Sequence, residues 1–124
     1  MIDQLGQVMV YVNDQEQAKH FWVEKMGFTV LSDVSNGLRI ITLAPSDEGQ
    51  TAIVLHNKKM IQEMQSELNL GTPSLMFFAK NIDALYEKLK AQDVTLGELV
   101  DTPYGKVFNF ADNEDNYFAV TEKL

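Results

Sequence analysis

A stretch near the N-terminus, Gln7 to Leu31, returns in weakened form as Ser74 to Leu96, and this repetition constrains the fold more than any other feature. Displacing the chain by about 66 positions lays VMVYVNDQEQAKHFWVEKMGFTV over LMFFAKNIDALYEKLKAQDVTL, with Ala18 on Ala84 and Phe28-Thr29 on Val94-Thr95. Each copy opens with an alternating apolar run, turns at an Asn/Asp cluster and enters an amphipathic stretch. A second strand follows Gly27 or Asp93, then a glycine (Gly37, Gly105), a third apolar run, an acidic or polar turn and a fourth run. The pattern predicts one βαβββ unit used twice: module one over 5–56, a linker helix over 57–70 and module two over 73–122. Each copy of such a unit buries its apolar face against a neighbour.

Leu5 to Val12 alternates so that Val8, Val10 and Val12 share one face and Gln7, Met9 and Tyr11 the other. The valine face suits packing under a helix, and the other suits a cavity with polar handles. Asn13-Asp14 supplies a cap, and Ala18, Phe21, Trp22 and Met26 recur at helical spacing, which predicts a helix over 14–26 ending at Gly27. Strands are expected over 28–34, 38–44 and 51–56, with a hairpin turn at Ser35-Asn36-Gly37 and a loop from Pro45 to Gly49. Met60, Ile61, Met64 and Leu68 stripe the linker helix. In module two, strands are expected over 73–79, 95–101, 106–111 and 117–121. Asn81 caps a helix that buries Ile82, Leu85, Tyr86 and Leu89.

Composition narrows the chemistry. With no cysteine, thiolate metal sites, disulfides and cysteine nucleophiles are excluded. Ten basic against eighteen acidic residues give a net charge of −8, which disfavours nucleic acid and anionic membranes as partners and mildly favours a cationic ligand. No apolar run approaches the roughly 20 residues of a membrane helix, and MIDQLGQ has neither a basic nor an apolar leader, so the expected location is cytoplasmic. No Gly-x-Ser-x-Gly, phosphate loop or dinucleotide fingerprint is present. Asp112, Glu114 and Asp115 read as a polar hairpin loop. Glu98, Asp101 and Glu122 read as edge charges, and His20 as a helix-surface residue.

The pattern YVND…A..FW.EKMGF, then N.DAL.EKL…V, then TPYGKVF.F.D..DN resembles the vicinal-oxygen-chelate superfamily of glyoxalases, bleomycin-resistance proteins and extradiol dioxygenases, from about Leu5 to Thr121. The resemblance implies an α+β glyoxalase/bleomycin-resistance fold, with two tandem βαβββ modules whose curved mixed sheets surround a cleft, and a homodimer. It also implies a divalent metal held by His, Gln and Glu side chains of both modules. Transferred onto this chain, those ligand positions fall on Gln7, Val54, Ser74 and Ala119, of which only Gln7 matches; His56, two positions beyond Val54, is the one nearby imidazole.

The expectation is therefore a pocket with no metal cofactor, lined by Gln7, Met9, Tyr11, Ser74, Met76, Tyr104, Phe108 and Phe110. Phe78 shares the face of Ser74 and Met76, and Arg39 is the pocket's fixed cation. Its partner would be a small organic ligand, cationic or aromatic. The alternatives are a metal-dependent lyase, thiol transferase or dioxygenase using Gln7 and His56, and a non-catalytic interaction module.

Overall fold

The computed structural model describes residues 1–48 and 51–123, so the end of the expected Pro45–Gly49 loop lies outside the described residues. The chain divides into two compact units, Met1–Pro73 and Ser74–Leu124.

In the first unit, β1 (Gln7–Val12) leads to α1 (Gln15–His20), which continues as one π-helical turn over Phe21–Lys25. Strands β2 (Thr29–Ser35), β3 (Arg39–Ala44) and β4 (Ala52–Asn57) follow, and then α2 (Lys58–Met64). The sheet runs β1-β4-β3-β2, with β1 parallel to β4 and the other pairs antiparallel. Asp14 begins the helix by accepting the Gln17 amide, and Gly27 ends it at a positive φ of 76° that a side chain rarely adopts.

The second unit repeats the plan with β5 (Met76–Ala79), α3 (Ile82–Ala91), β6 (Val100–Thr102), β7 (Gly105–Ala111) and β8 (Tyr117–Glu122), in the order β5-β8-β7-β6. Asn81 caps α3 through the Ala84 amide. The architecture is α+β, two four-stranded mixed sheets each carrying its helices.

The core of each unit lies between sheet and helix. Val10, Val12, Ile41, Leu43 and Leu55 are buried in the first, together with Trp22, whose ring sits 5.5 Å from Phe21 and 5.0 Å from Phe28. Each fully buried aliphatic side chain of this kind contributes about 1.5–3 kcal/mol. In the second unit the strands bring aromatic side chains: Phe77, Phe110 and Phe118 form a ring cluster, and Phe108 meets Tyr86 of α3 edge-on at 5.1 Å.

Several boundaries differ from the sequence-based expectation. The strand expected over 95–101 is reduced to Val100–Thr102, with a lone bridge from Leu96 to Phe110. Gly97 interrupts it: its carbonyl accepts the Tyr86 hydroxyl and its amide pairs with Asn109. Pro73, which has no amide hydrogen, delays β5 to Met76. The expected linker helix shortens to Lys58–Met64, and of its apolar stripe only Ile61 is buried; Met60, Met64 and Leu68 are exposed. The acidic turn before β8 is more than a solvated loop. Buried Asp112 accepts the Glu114 and Asn116 amides and the Asn116 side chain, which lets Asp115 hold a positive φ.

Candidate functional site

Each sheet has one face under its helix and one face without, and strand register assigns every candidate residue to one of them. In the first unit Met9 pairs with Val54 and Thr42, and Tyr11 with His56 and Ile40. Gln7 pairs with Ala52. These rows form the helix-free face, where residues pairing side by side point the same way. Ser32 and Val34 extend the same rows onto β2. No residue of these rows carries a formal charge. Val8, Val10 and Val12 take the other side, as the alternation predicts; Val10 and Val12 are buried and Val8 is half-buried.

Arg39 is not on that face, which corrects its assignment as the pocket's cation. It has the parity of Ile41 and Leu43, beneath α1. Its guanidinium donates to both Asp33 oxygens, at 3.0 and 2.7 Å, and to Glu16 at 2.9 Å, while Lys19 completes the group on Asp33 at 2.7 Å. The hydrogen bonds from Arg39 and then Lys19 hold the Asp33 carboxyl well below the usual carboxylate range. Three of the guanidinium's five N–H donors, one on each nitrogen, are engaged in tying α1 to β2 and β3. The backbone at the same point is secured by buried Gln15, whose amide donates to the carbonyls of Arg39 and Leu55 at 2.8 and 2.9 Å. Gln15 went unrecognised in the sequence because a glutamine in a first helical turn is an ordinary surface residue.

On the helix-free face, His56 is half-buried and not a free strand-end residue. Its ring stacks on Tyr11 with centroids 5.7 Å apart, and Nε2 lies 3.0 Å from Met9 Sδ. The Nδ1 atom is buried without a hydrogen-bond partner among the described residues. Burial pushes the imidazole below its ordinary pKa, so it is neutral at pH 7. The signal that could have found this cluster is the parallel β1/β4 pairing, which puts position 11 beside position 56.

In the second unit Met76 pairs with Ala119, which pairs with Asn109; Phe78 pairs with Thr121, which pairs with Val107. These rows too are helix-free and uncharged. Met76 is 57% and Phe78 70% exposed. Ser74 is exposed and precedes β5, and Tyr104 is 86% exposed in the β6–β7 turn. Phe108 and Phe110 have the opposite parity. At 1% and 0% exposure they are core beneath α3, a second correction of the expected pocket. The alternation of β7 was read correctly, but the helix covers the phenylalanine side. Asp101 and Glu122 also fall on the helix side, paired in register with Lys106 and Ala79, and Glu98 lies outside the strands. The expectation of a cationic ligand rested on net acidity, and no carboxylate stands in the helix-free rows of either unit to receive one.

The donor set does not fit the metal that the resemblance implies. Val54 and Ala119 offer no donor atom, and Gln7 and Ser74 offer one neutral oxygen each, a poor set for a first-row ion. Among the described residues no three His, Asp or Glu side chains come together as a metal-binding group. Gln7 and His56 do not converge either, because four residues of strand separate their rows, about 13 Å. A surface crevice of about 480 Å³ is lined by Met64 to Leu68, after α2, and by none of the candidate residues. Among the described residues no helix is long and apolar enough to cross a membrane.

Comparison with known proteins agrees with the fold. A family model described as Glyoxalase/Bleomycin resistance protein/Dioxygenase superfamily matches residues 4–120. The uncharacterized protein YetH of Bacillus subtilis (strain 168) is 35% identical over 98% of this chain and 100% of its own. TnmS3, an antibiotic binding protein from Streptomyces sp. CB03234, is similar in structure with a TM-score of 0.83, at 26% identity over 99% of this chain and 98% of that one. A superfamily member from Sphaerobacter thermophilus DSM 20745 shares the fold with a TM-score of 0.81, at 24% identity and 98% coverage of each chain. The chain belongs to the Glyoxalase/Bleomycin resistance protein/Dioxygenase superfamily.

Proposed function

We propose that this protein binds small, partly aromatic organic molecules without a metal and acts by sequestering a drug or metabolite in the cytoplasm, as a homodimer. The observation that carries the reading is the replacement of metal donors by Val54 and Ala119 on faces that present Met9, Tyr11, Met76 and Phe78. Polarizable sulfur and flat rings adapt to many organic shapes, and Gln7, Thr42, Asn109 and Thr121 supply neutral hydrogen bonds beside them. The likeness to TnmS3, named as an antibiotic binding protein, supports the same reading.

The test begins with metal. Purified protein is incubated with Ni, Co, Zn and Mn, desalted and analysed by elemental mass spectrometry, with far less than one equivalent per chain expected. Near-stoichiometric metal would overturn the reading in favour of a lyase, thiol transferase or dioxygenase. A thermal-shift panel of aromatic drugs and metabolites then reads binding directly, and light scattering reads the dimer. Phe78→Ala should weaken the best ligand roughly 3- to 10-fold without lowering the melting temperature of the free protein. A panel in which nothing binds would leave the interaction-module alternative.

A further inference from the structure

The helix-free face of the first unit narrows the ligand class beyond the general binding reading, on which this inference rests. His56 has two nitrogens and one proton at neutral pH. Among the described residues Nδ1 is buried with no partner, and Nε2 meets only the Met9 thioether. A buried N–H with no acceptor costs more than an idle lone pair, so the proton belongs on Nε2, where it donates to sulfur. A thioether is a weak acceptor on a flexible side chain, and Met9 is half open to solvent at 37% exposure. A ligand oxygen would satisfy this N–H far better, and Met9 can swing aside to admit it.

The surroundings decide what carries that oxygen. Tyr11 stacks on the imidazole and extends it into a flat aromatic surface, flanked by Ile40 and Val54. The rows holding Gln7, Met9 and Tyr11 contain no Asp, Glu, Lys or Arg to neutralise a charged ligand. Arg39, Asp33, Lys19 and Glu16 all belong to the helix side and are paired with one another.

From this placement we infer that the preferred ligand is an uncharged aromatic molecule bearing a carbonyl oxygen, which accepts the His56 Nε2–H in place of Met9 while its ring lies over Tyr11. The second unit offers no equivalent, since Phe78 and Thr121 stand where Tyr11 and His56 stand.

The test compares four probes that share one ring system: naphthamide, naphthalene, naphthoate and naphthylmethylammonium, titrated against the full-length protein by calorimetry. Naphthamide should bind roughly fivefold tighter than naphthalene, and both charged probes weaker than naphthamide. His56→Leu should erase the advantage of the amide and leave naphthalene within twofold of wild type. Met9→Leu, at an exposed position, should strengthen naphthamide by about two- to threefold, because the donor no longer has a competing acceptor. Nitrogen-15 spectra of the histidine side chains should show His56 as the Nε2–H tautomer, shifted by naphthamide and not by naphthalene. An amide that binds no tighter than the hydrocarbon, a charged probe that binds tightest, or an unbound series overturns the inference. Binding of naphthalene with no gain from the carbonyl does so while leaving the general binding reading intact, and that reading falls separately if the broad panel yields no ligand.

Discussion

The two units use one plan with opposite distributions of aromatic mass. In the first, the strands are aliphatic and the helix is aromatic, with Ile41 and Leu43 in β3 beneath Phe21 and Trp22. In the second, the strands supply most of the rings, with Phe108 and Phe110 buried in β7, while α3 buries Ile82 and Leu89 and adds one ring, Tyr86, against Phe108. Packing constrains the volume between sheet and helix and is indifferent to which layer supplies it. The ion pairs are conserved between the units in place but not in weight. Glu16 with Arg39 and Asp83 with Lys106 occupy matching positions, a first helical turn and the start of a middle strand. In the first unit a buried glutamine and a second carboxylate hydrogen-bonded to the same guanidinium, Asp33, reinforce the link. The helix-free faces diverge as well, with a histidine–tyrosine stack in one and a phenylalanine–threonine pair in the other.

The largest expected effect tests the exchange of aromatic mass. Phe110→Ala should cost about 3–5 kcal/mol and its counterpart Leu43→Ala about 2–5 kcal/mol in urea unfolding, with neither forming a ligand contact. A Phe110→Ala variant that is fully stable but binds ligand poorly would return Phe110 to the pocket. Next, Gln15→Leu should cost about 1–3 kcal/mol, because two strand carbonyls lose their donor, whereas the counterpart Ile82→Leu should be tolerated at under about 1.5 kcal/mol.

Asp33→Asn should cost about 1 kcal/mol at pH 7, and its signature is in the acid limb. Because Arg39 and Lys19 depress the folded carboxyl below its unfolded value, the stabilisation is complete above roughly pH 4 and is lost as pH falls. The variant should flatten that loss, and Asp83→Asn, removing a solvent-exposed pair, should cost less at pH 7 than Asp33→Asn. The smallest effects lie at the helix ends. Gly27→Ala should cost about 1 kcal/mol through its positive φ alone, since nothing stands within 4 Å of the added methyl. Asp93→Gly, at a φ of 60°, should stabilise by up to about 1 kcal/mol.

Much of the fold was legible because its signals are local. The capping residues Asp14 and Asn81 hydrogen-bond the helix ends that they precede, and the alternation of β1 separates its valines from Gln7, Met9 and Tyr11. The helix expected over 14–26 has the right extent but a different interior. From cap to left-handed terminus the first unit takes one residue more than the second, and the π turn at Phe21–Lys25 absorbs it. The candidate site was legible only in part. Of the expected residues, Gln7, Met9, Tyr11 and Met76 lie on the helix-free strand faces of their own units, Ser74 and Tyr104 are exposed outside the strands, and Arg39, Phe108 and Phe110 lie on the wrong side.

By itself the sequence determined the repeated βαβββ order, the caps and turns, and the absence of donors at Val54 and Ala119, because each follows from residue identity or spacing a few positions apart. Only the tertiary structure decided which side of β3 and β7 the helices cover, since a period of two separates two faces without saying which is buried. It alone brought His56 onto Tyr11 and Met9, because that contact depends on parallel pairing between strands far apart in the chain, which no local pattern encodes.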